Sequence, residues 1–266
     1  MIMKRRISAL LLALALAVTM LASCDIIGGN ATDEEILLAA AEALDGASYE
    51  ATSTTSFEAK ASELADKIEG ISDSGITYSR KGSDFKARMS VLVGDVEVKR
   101  TYTAKDGVLY AESIADIAGE QTVIKKKAEL EESELAAVLA ELGSGAELDY
   151  LDFAKLERSG GAKNCTITCT DVKAESVRGA EAVLGAALVG ADMELTISGA
   201  TLTVEIKDGK YDTVTLSYSC QVETENGIYN MTATLKTEYD YKAEVEITAP
   251  ADADMYVSTN YENVLK

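Results

Sequence analysis

The residues of this chain that we consider for chemistry are its carboxylates and its four cysteines, and histidine and tryptophan are absent. Without histidine, the chain cannot form a Ser-His-Asp triad, a Cys-His dyad or a His-ligated zinc site. Two acidic clusters, Glu131/Glu132/Glu134 and Asp252/Asp254, are candidate cation sites, but neither matches the D-x-[DN]-x-[DN]-G calcium loop. We therefore predict a protein that is not an enzyme and holds no cofactor or metal. A hydrolase that uses two carboxylates is the lowest-ranked alternative.

Three of the cysteines, Cys165, Cys169 and Cys220, lie in segments that alternate as β-strands do. Cys165 and Cys169 are four residues apart, so in one strand they share a face at about 13 Å, too far for a disulfide. No CxxC spacing or histidine supports a metal site. The alternatives are three buried free thiols, which we favour, or one disulfide from Cys220 to one of the other two.

The N-terminal residues 1–24, MIMKRRISALLLALALAVTMLASC, have the parts of a secretory signal in order. Lys4, Arg5 and Arg6 are basic, and the next 14 residues are apolar but too few for a comfortable membrane span. Small residues then precede Cys24. This order resembles the lipobox of bacterial lipoproteins, although an ordinary secretory signal with a coincidental cysteine is the alternative. The resemblance implies cleavage before Cys24 and attachment of a diacylglyceryl group to its thiol.

The lipobox divides the chain into a signal peptide (1–23), the lipidated Cys24 with a short tether (24–31) and one α+β domain (32–266). Gly28 and Gly29 give the tether flexibility. Two acyl chains hold a protein stably at a bilayer, whereas one chain does not. We therefore expect an extracytoplasmic domain that is lipid-anchored to the cell membrane.

The charge of the chain restricts its partners. There are 25 Lys and Arg residues against 45 Asp and Glu residues, a formal net charge of -20, and loss of the three signal-peptide cations makes it -23. Nucleic-acid affinity depends on cations that neutralise phosphates, so we expect no nucleic-acid partner. The same charge repels anionic head groups, so the acyl chains rather than the protein surface must hold the domain at the membrane.

Local patterns predict the secondary structure. Thr32-Asp33-Glu34-Glu35 is typical of a capping box and predicts a helix from Thr32 to about Leu44. Helical spacing predicts further helices at 61–70, 131–142 and 174–190. Strands fill most of the remainder, and hairpin turns are indicated at Lys81-Gly82-Ser83, Lys105-Asp106-Gly107, Asp208-Gly209 and Asn226-Gly227.

The final strands indicate the fold class. They cover 194–207, 211–223 and 228–241, with a continuation to Thr248. Along the last strand, alternate residues are apolar and the residues between them are rich in Thr and Glu, so one face of the strand is buried and the other is in water. The apolar residues are Met231, Ala233, Leu235, Tyr239, Val245 and Ile247. We predict an α+β fold, with a large curved antiparallel sheet, a half-barrel, and helices packed on its concave face.

This order of elements resembles the half-barrel of LolA/LolB and LppX-like lipoproteins, in which a bent sheet and its helices enclose a lipid-sized cavity. The resemblance implies a hydrophobic or lipid ligand between sheet and helices. The expected cavity lining comes from the predicted helix at 174–190 and the last strands: Val177, Leu184, Leu188, Leu216, Tyr218, Met231, Leu235 and Tyr239. The alternatives are close packing of this helix on the sheet, and tyrosines that lie at the sheet rim.

The leading hypothesis is therefore a membrane-anchored binding protein for a hydrophobic ligand. The alternative is a cell-envelope scaffold that binds a protein partner through its acidic surface and has no small-molecule ligand. The basic run Lys125-Lys126-Lys127 either contacts lipid head groups or forms the solvent face of a strand.

Overall fold

The computed structural model describes residues 31–45, 47–59, 75–93, 96–117, 119–142, 155–172, 194–224 and 227–265. Cys24 and the residues before it that resemble a lipobox lie outside these residues, as do the helices predicted at 61–70 and 174–190. None of the helices within the described ranges has the length and apolar character needed to cross a bilayer.

The helices are α1 (Asp33–Asp45), α2 (Glu132–Glu141) and α3 (Tyr261–Leu265), with a 3-10 turn at Ala253–Met255. The strands are β1 (Ser48–Ala59), β2 (Gly75–Lys81), β3 (Asp84–Val93), β4 (Val96–Lys105), β5 (Val108–Ile117), β6 (Glu120–Glu129), β7 (Leu156–Gly160), β8 (Cys165–Val172), β9 (Glu194–Lys207), β10 (Lys210–Thr224), β11 (Gly227–Asp240) and β12 (Val257–Ser258).

All described strands form one open sheet in the order β12-β6-β5-β4-β3-β2-β1-β11-β10-β9-β8-β7. Strands β1–β6 are one antiparallel meander and β7–β11 are another, because consecutive strands within each group pair. Antiparallel pairing of β1 with β11 joins the two meanders. The prediction of a large antiparallel sheet with few helices is therefore confirmed.

Helix α1 begins with the predicted capping box. The Thr32 backbone N–H donates to Glu35 Oε2 at 2.9 Å, and the Glu35 N–H donates to Thr32 Oγ1 at 3.2 Å. These reciprocal bonds satisfy two N–H groups that the first turn of a helix leaves without a carbonyl partner. The local sequence thus determines where α1 begins.

Three of the predicted hairpin turns are found. Asp106-Gly107 and Asp208-Gly209 have positive φ at both residues, which a type I′ turn requires and which a glycine adopts without strain. Gly82 adopts φ +62° between β2 and β3. Of the predicted turn Asn226-Gly227, Asn226 lies outside the described residues, and Gly227 belongs to β11, where it pairs with Thr224.

One face of the sheet, which we call the inner face, carries the core. It presents the buried side chains of Tyr49, Tyr78, Tyr102 and Tyr218. The pairing of the strands, traced from β1 across both meanders, places these side chains on the same face. Helix α1 contacts β10 and β7, and its Leu37 is fully buried. The opposite, outer face carries mainly Thr, Glu and Lys side chains.

Two predictions about the core can be compared with the structure. Cys165 and Cys169 are buried and form no disulfide, as predicted, and they lie on the inner face of β8. The side chain of Cys220, the third predicted thiol, lies outside what the structure describes. The predicted continuation of the last strand to Thr248 is wrong, because β11 ends at Asp240. Val245 and Ile247 are nevertheless buried, although the chain that carries them does not join the ladder.

Residues 241–265 form a C-terminal segment that follows β11. On the outer face, Lys125 pairs with Asp252, and the rings of Tyr110 and Tyr256 are 5.4 Å apart. Strand β12 then pairs in parallel with the edge strand β6. On the inner face, α3 ends at Leu265, whose carbonyl accepts a hydrogen bond from Tyr102. The C-terminal segment therefore wraps around the β6 edge.

The basic run holds this segment. Lys126 Nζ donates to the Asn263 carbonyl at 2.8 Å, and Lys127 Nζ donates to the Ala253 carbonyl at 2.9 Å. Lys125 lies between Asp252 and Glu112, and its Nζ is 3.1 Å from the Glu112 carboxylate. The three lysines thus bind the chain's own C-terminal segment, a role that neither sequence-based alternative included.

Candidate functional site

The structure brings the predicted strand residues onto a common face. Leu216 and Tyr218 of β10, and Met231, Leu235 and Tyr239 of β11, all lie on the inner face. Leu216 is directly opposite Leu235 in the ladder, while Tyr218 and Met231 are each only 2% exposed. The other predicted lining residues, Val177, Leu184 and Leu188, lie outside the described residues.

Tyr239 is set apart from the other predicted residues. It is eight residues from Met231 along β11, which is about 26 Å in an extended strand. Its ring packs against Tyr49 at 5.5 Å, Tyr211 at 6.1 Å and Tyr241 at 6.3 Å between centroids. Tyr239 therefore belongs to a packed aromatic cluster, and we call the side of the sheet that contains it the tyrosine end.

Hydrogen bonds fix this cluster. The Tyr211 hydroxyl donates to the Leu37 carbonyl of α1 at 3.1 Å, and the Tyr241 hydroxyl donates to the Tyr211 carbonyl at 2.9 Å. Burial raises the pKa of Tyr211, Tyr239 and Tyr241 well above the ordinary value near 10. These three hydroxyls stay protonated at neutral pH, so they are poor candidates for acid–base chemistry there. Those of Tyr211 and Tyr241 act as donors within the core.

The opposite side of the sheet is the loop end, where β1 ends at Ala59, β2 begins at Gly75, β8 ends at Val172 and β9 begins at Glu194. In a band between the tyrosine end and the loop end, several inner-face side chains are only partly buried, whereas Tyr218 and Met231 nearer the loop end are buried. We call this region the inner-face patch and define it as Ile76, Met89, Arg100, Leu216 and Leu235. It spans β4, β3, β2, β1, β11 and β10, about 24 Å at a strand spacing near 4.8 Å.

Arg100 is the charged member of the patch, and the sequence did not lead us to predict it, nor Ile76 and Met89, as lining residues. It is partly buried on the inner face of β4, directly between Met89 of β3 and Ser113 of β5. The signal was present in the sequence, because Val96, Val98, Arg100, Tyr102 and Ala104 share one parity of β4. An arginine in an otherwise apolar alternation is a charge on the core-facing side.

Arg100 differs from the other basic side chains of the inner face. Arg158 reaches Asp33 at 3.2 Å and the Ala31 carbonyl at 3.1 Å, Arg80 donates to the Gly82 carbonyl, and Lys126 holds Asn263. Within the described part of the chain, the Arg100 guanidinium has no ion pair or hydrogen bond. The patch therefore presents five N–H donors without a protein acceptor among these residues.

Two polar clefts lie away from the patch. One, of about 320 Å³, has a hydroxyl-rich lining of Ser56, Thr201, Ser217, Ser219, Thr232 and Thr234 next to the irregular β9–β10 pairing. The other, of about 390 Å³, lies beside the β7–β8 turn and is lined partly by Asn164, Thr166 and Glu205. Neither has the Leu, Val and Ala lining that a cavity for a hydrophobic ligand requires.

The candidate cation clusters have other roles. Asp252 pairs with Lys125, and Glu134 accepts the Glu131 backbone N–H at 2.8 Å as α2 begins. In the part of the chain that the structure describes, no group of three or more Cys, Asp or Glu side chains is placed to hold a metal ion.

Comparison with known proteins gives no family for this chain. No protein-family model matches the sequence, and no curated protein is similar to it. The function must therefore be inferred from the residues and their geometry.

Proposed function

We propose that the protein is a membrane-anchored extracytoplasmic lipoprotein that holds a hydrophobic or lipid ligand against the inner face of its sheet. Cys24 would carry the acyl anchor, and the ligand would lie on the inner-face patch. Three parts of this proposal rest on the lipobox: the anchor, the extracytoplasmic location and the membrane as a partner. The ligand site rests on the observation that follows.

The observation that carries the ligand site is the change in burial along the inner face. At the tyrosine end, Tyr49, Tyr211 and Leu37 are fully buried. Further along the same face, Leu216 and Leu235 are only partly buried, although Tyr218 and Met231, which lie beyond them towards the loop end, are again buried. Because apolar area removed from water is worth about 25 cal/mol per Å², a hydrophobic ligand that covers this patch gains free energy.

The proposal also includes the curvature of the sheet and the position of the helices. We infer that the sheet is curved as a half-barrel, with helices on its concave side. Val177, Leu184 and Leu188 remain proposed lining residues. They belong to the connection between Val172 and Glu194, whose two attachment points lie at the loop end.

The direct test is mass spectrometry of organic extracts from the mature protein, purified gently in a detergent with a neutral head group. We expect a co-purifying lipid or other hydrophobic molecule at near-stoichiometric amounts. The variant Leu235→Gln should retain less of it, because Leu235 lies in the patch. Thr232→Gln is the matched control, since Thr232 is exposed on the outer face of the same strand.

A thermal unfolding midpoint measured for each variant separates loss of ligand from loss of fold. Wild-type protein that carries no hydrophobic molecule and binds none when it is added would contradict the proposal. The alternative function, an envelope scaffold, would then be favoured. That alternative predicts a protein partner recovered by cross-linking, with an association that weakens as salt is raised.

A further inference from the structure

We propose that the hydrophobic ligand carries an anionic head group, a carboxylate or a phosphate, and that Arg100 binds it. This inference rests on the proposed function and names the chemical class of its ligand. In one arrangement, the acyl chain of an anionic amphiphile covers the apolar members of the inner-face patch while its head group reaches the Arg100 guanidinium.

The position of Arg100 is the first argument. Along β4 the inner face changes from Tyr102, which is 4% exposed, to Arg100, which is partly buried. Arg100 therefore lies at the border between the sealed core and the patch. Its neighbours across the ladder are Met89 on one side and Ser113 on the other, with Ile124 beyond Ser113 on β6.

The distribution of acids is the second argument. On strands β1–β6, the acidic residues of the outer face are Glu50, Glu58, Asp84, Glu97, Glu112, Asp116 and Glu129. The inner face of these six strands has one acid, Glu120, at the β5–β6 turn. Glu120 is four residues beyond Ile124, about 13 Å further along β6, so it does not reach Arg100.

Acids on the outer face are what a sheet with one buried face requires, so a basic residue on the inner face is the exception. Arg100 is partly buried, and a guanidinium that is taken out of water without an acceptor loses solvation and gains nothing in return. A carboxylate or phosphate from a ligand would supply the acceptor, and the planar guanidinium can bind either group through two parallel hydrogen bonds. A ligand without charge would leave this cost uncompensated.

The test compares photoreactive probes that share one long acyl chain and differ only in the head group. The probes are a palmitate, the phosphate monoester of the corresponding alcohol, and the palmitate methyl ester. Each is added at equal concentration to the mature lipidated protein in phosphatidylcholine vesicles, and labelling is measured by mass spectrometry. We expect the carboxylate or the phosphate probe to label wild-type protein at least about tenfold more than the ester.

The variant Arg100→Gln should lose this preference and label equally with charged and neutral probes. Arg100→Lys keeps the charge and should retain part of the preference. Arg88→Gln is the matched control, because Arg88 is exposed on the outer face of the neighbouring strand β3. Ester labelling that is the same in every variant shows that the hydrophobic site is intact.

The outcomes separate the two proposals. Equal labelling of wild-type protein by charged and neutral probes, or an unchanged preference in Arg100→Gln, overturns the role of Arg100 and leaves the hydrophobic site standing. No specific labelling by any probe overturns the proposed function itself. A preference between carboxylate and phosphate, lost in Arg100→Gln, supports the inference and identifies the head group.

Discussion

The β7–β8 turn offers a sharp test of the described geometry, through the change Gly160→Ala. Gly160 has φ +101°, a conformation that L side chains rarely adopt. A Cβ added there would lie 2.6 Å from the Asn164 carbonyl oxygen and 3.0 Å from Cys165 Cα. Both are backbone atoms, so the turn itself must move.

The cost can be worked out from the contacts of that turn. The Asn164 carbonyl also accepts the Gly161 N–H at 3.0 Å, so moving the carbonyl weakens this bond. Neighbouring bonds resist the movement, because Asn164 Oδ1 accepts the Asp208 N–H and the Lys163 carbonyl accepts the Gly209 N–H. Backbone strain of about 1–2 kcal/mol and a lost hydrogen bond of about 1 kcal/mol add to about 2–3 kcal/mol. Reduced freedom of the unfolded chain returns about 0.4–1 kcal/mol.

The assay is thermal unfolding followed by circular dichroism, with the adjacent change Gly161→Ala as control. A Cβ on Gly161 meets no atom within 4 Å, and its φ is not in the left-handed region. The net cost is about 1–2.6 kcal/mol, so at about 2–4 °C per kcal/mol for a chain of this size, Gly160→Ala should lower the midpoint by roughly 2–10 °C. Gly161→Ala should leave it unchanged or raise it slightly. Equal midpoints for the two variants would refute the described turn.

Two further predictions concern the tyrosine cluster and the C-terminal segment. Burial raises the folded-state pKa of Tyr78, Tyr211 and Tyr241, so their contribution to stability is complete below pH 10 and is lost as the pH rises above it. In an alkaline titration, the absorbance of ionised tyrosine at 295 nm should therefore rise together with loss of the circular dichroism signal. Ionisation of all tyrosines while the protein stays folded would contradict this prediction. Lys125→Met removes the ammonium group between Glu112 and Asp252 and should speed amide hydrogen exchange in residues 250–258. Lys99→Met, which removes only an exposed pair with Glu97, should not change exchange there; equal exchange in both variants would show that Lys125 does not hold the segment.

Features set by neighbouring residues could be predicted from the sequence. The capping box of α1 needs only Thr32 and Glu35, and the type I′ turns need only an Asp-Gly pair. The register of the β10–β11 hairpin was not predicted in this way, because a turn at Asn226-Gly227 would place Leu216 opposite Thr237, whereas Gly227 pairs with Thr224 and Leu216 pairs with Leu235.

Features that depend on distant partners could not be predicted in this way. Val245 and Ile247 alternate with polar residues, as the apolar residues of a strand do, but they are buried in a segment outside the ladder. Likewise, Lys125 and Asp252 are 127 residues apart, so no local spacing relates them. An extended segment and a strand have the same side-chain alternation, and only the pairing partner distinguishes them.

The inner-face patch combines both situations, and this explains why sequence reasoning found half of it. Leu216 and Leu235 belong to the second meander, whereas Met89 and Arg100 belong to the first. The two halves meet only because β1 pairs with β11, where Ser53 Oγ lies 2.6 Å from Thr237 Oγ1 at a separation of 184 residues. An arginine at a core-facing position of β4 can bind the head group of an amphiphile only because this pairing brings the leucines onto the same face. The proposed ligand site for a charged amphiphile therefore depends on the pairing that joins the two meanders, and neither meander forms it alone.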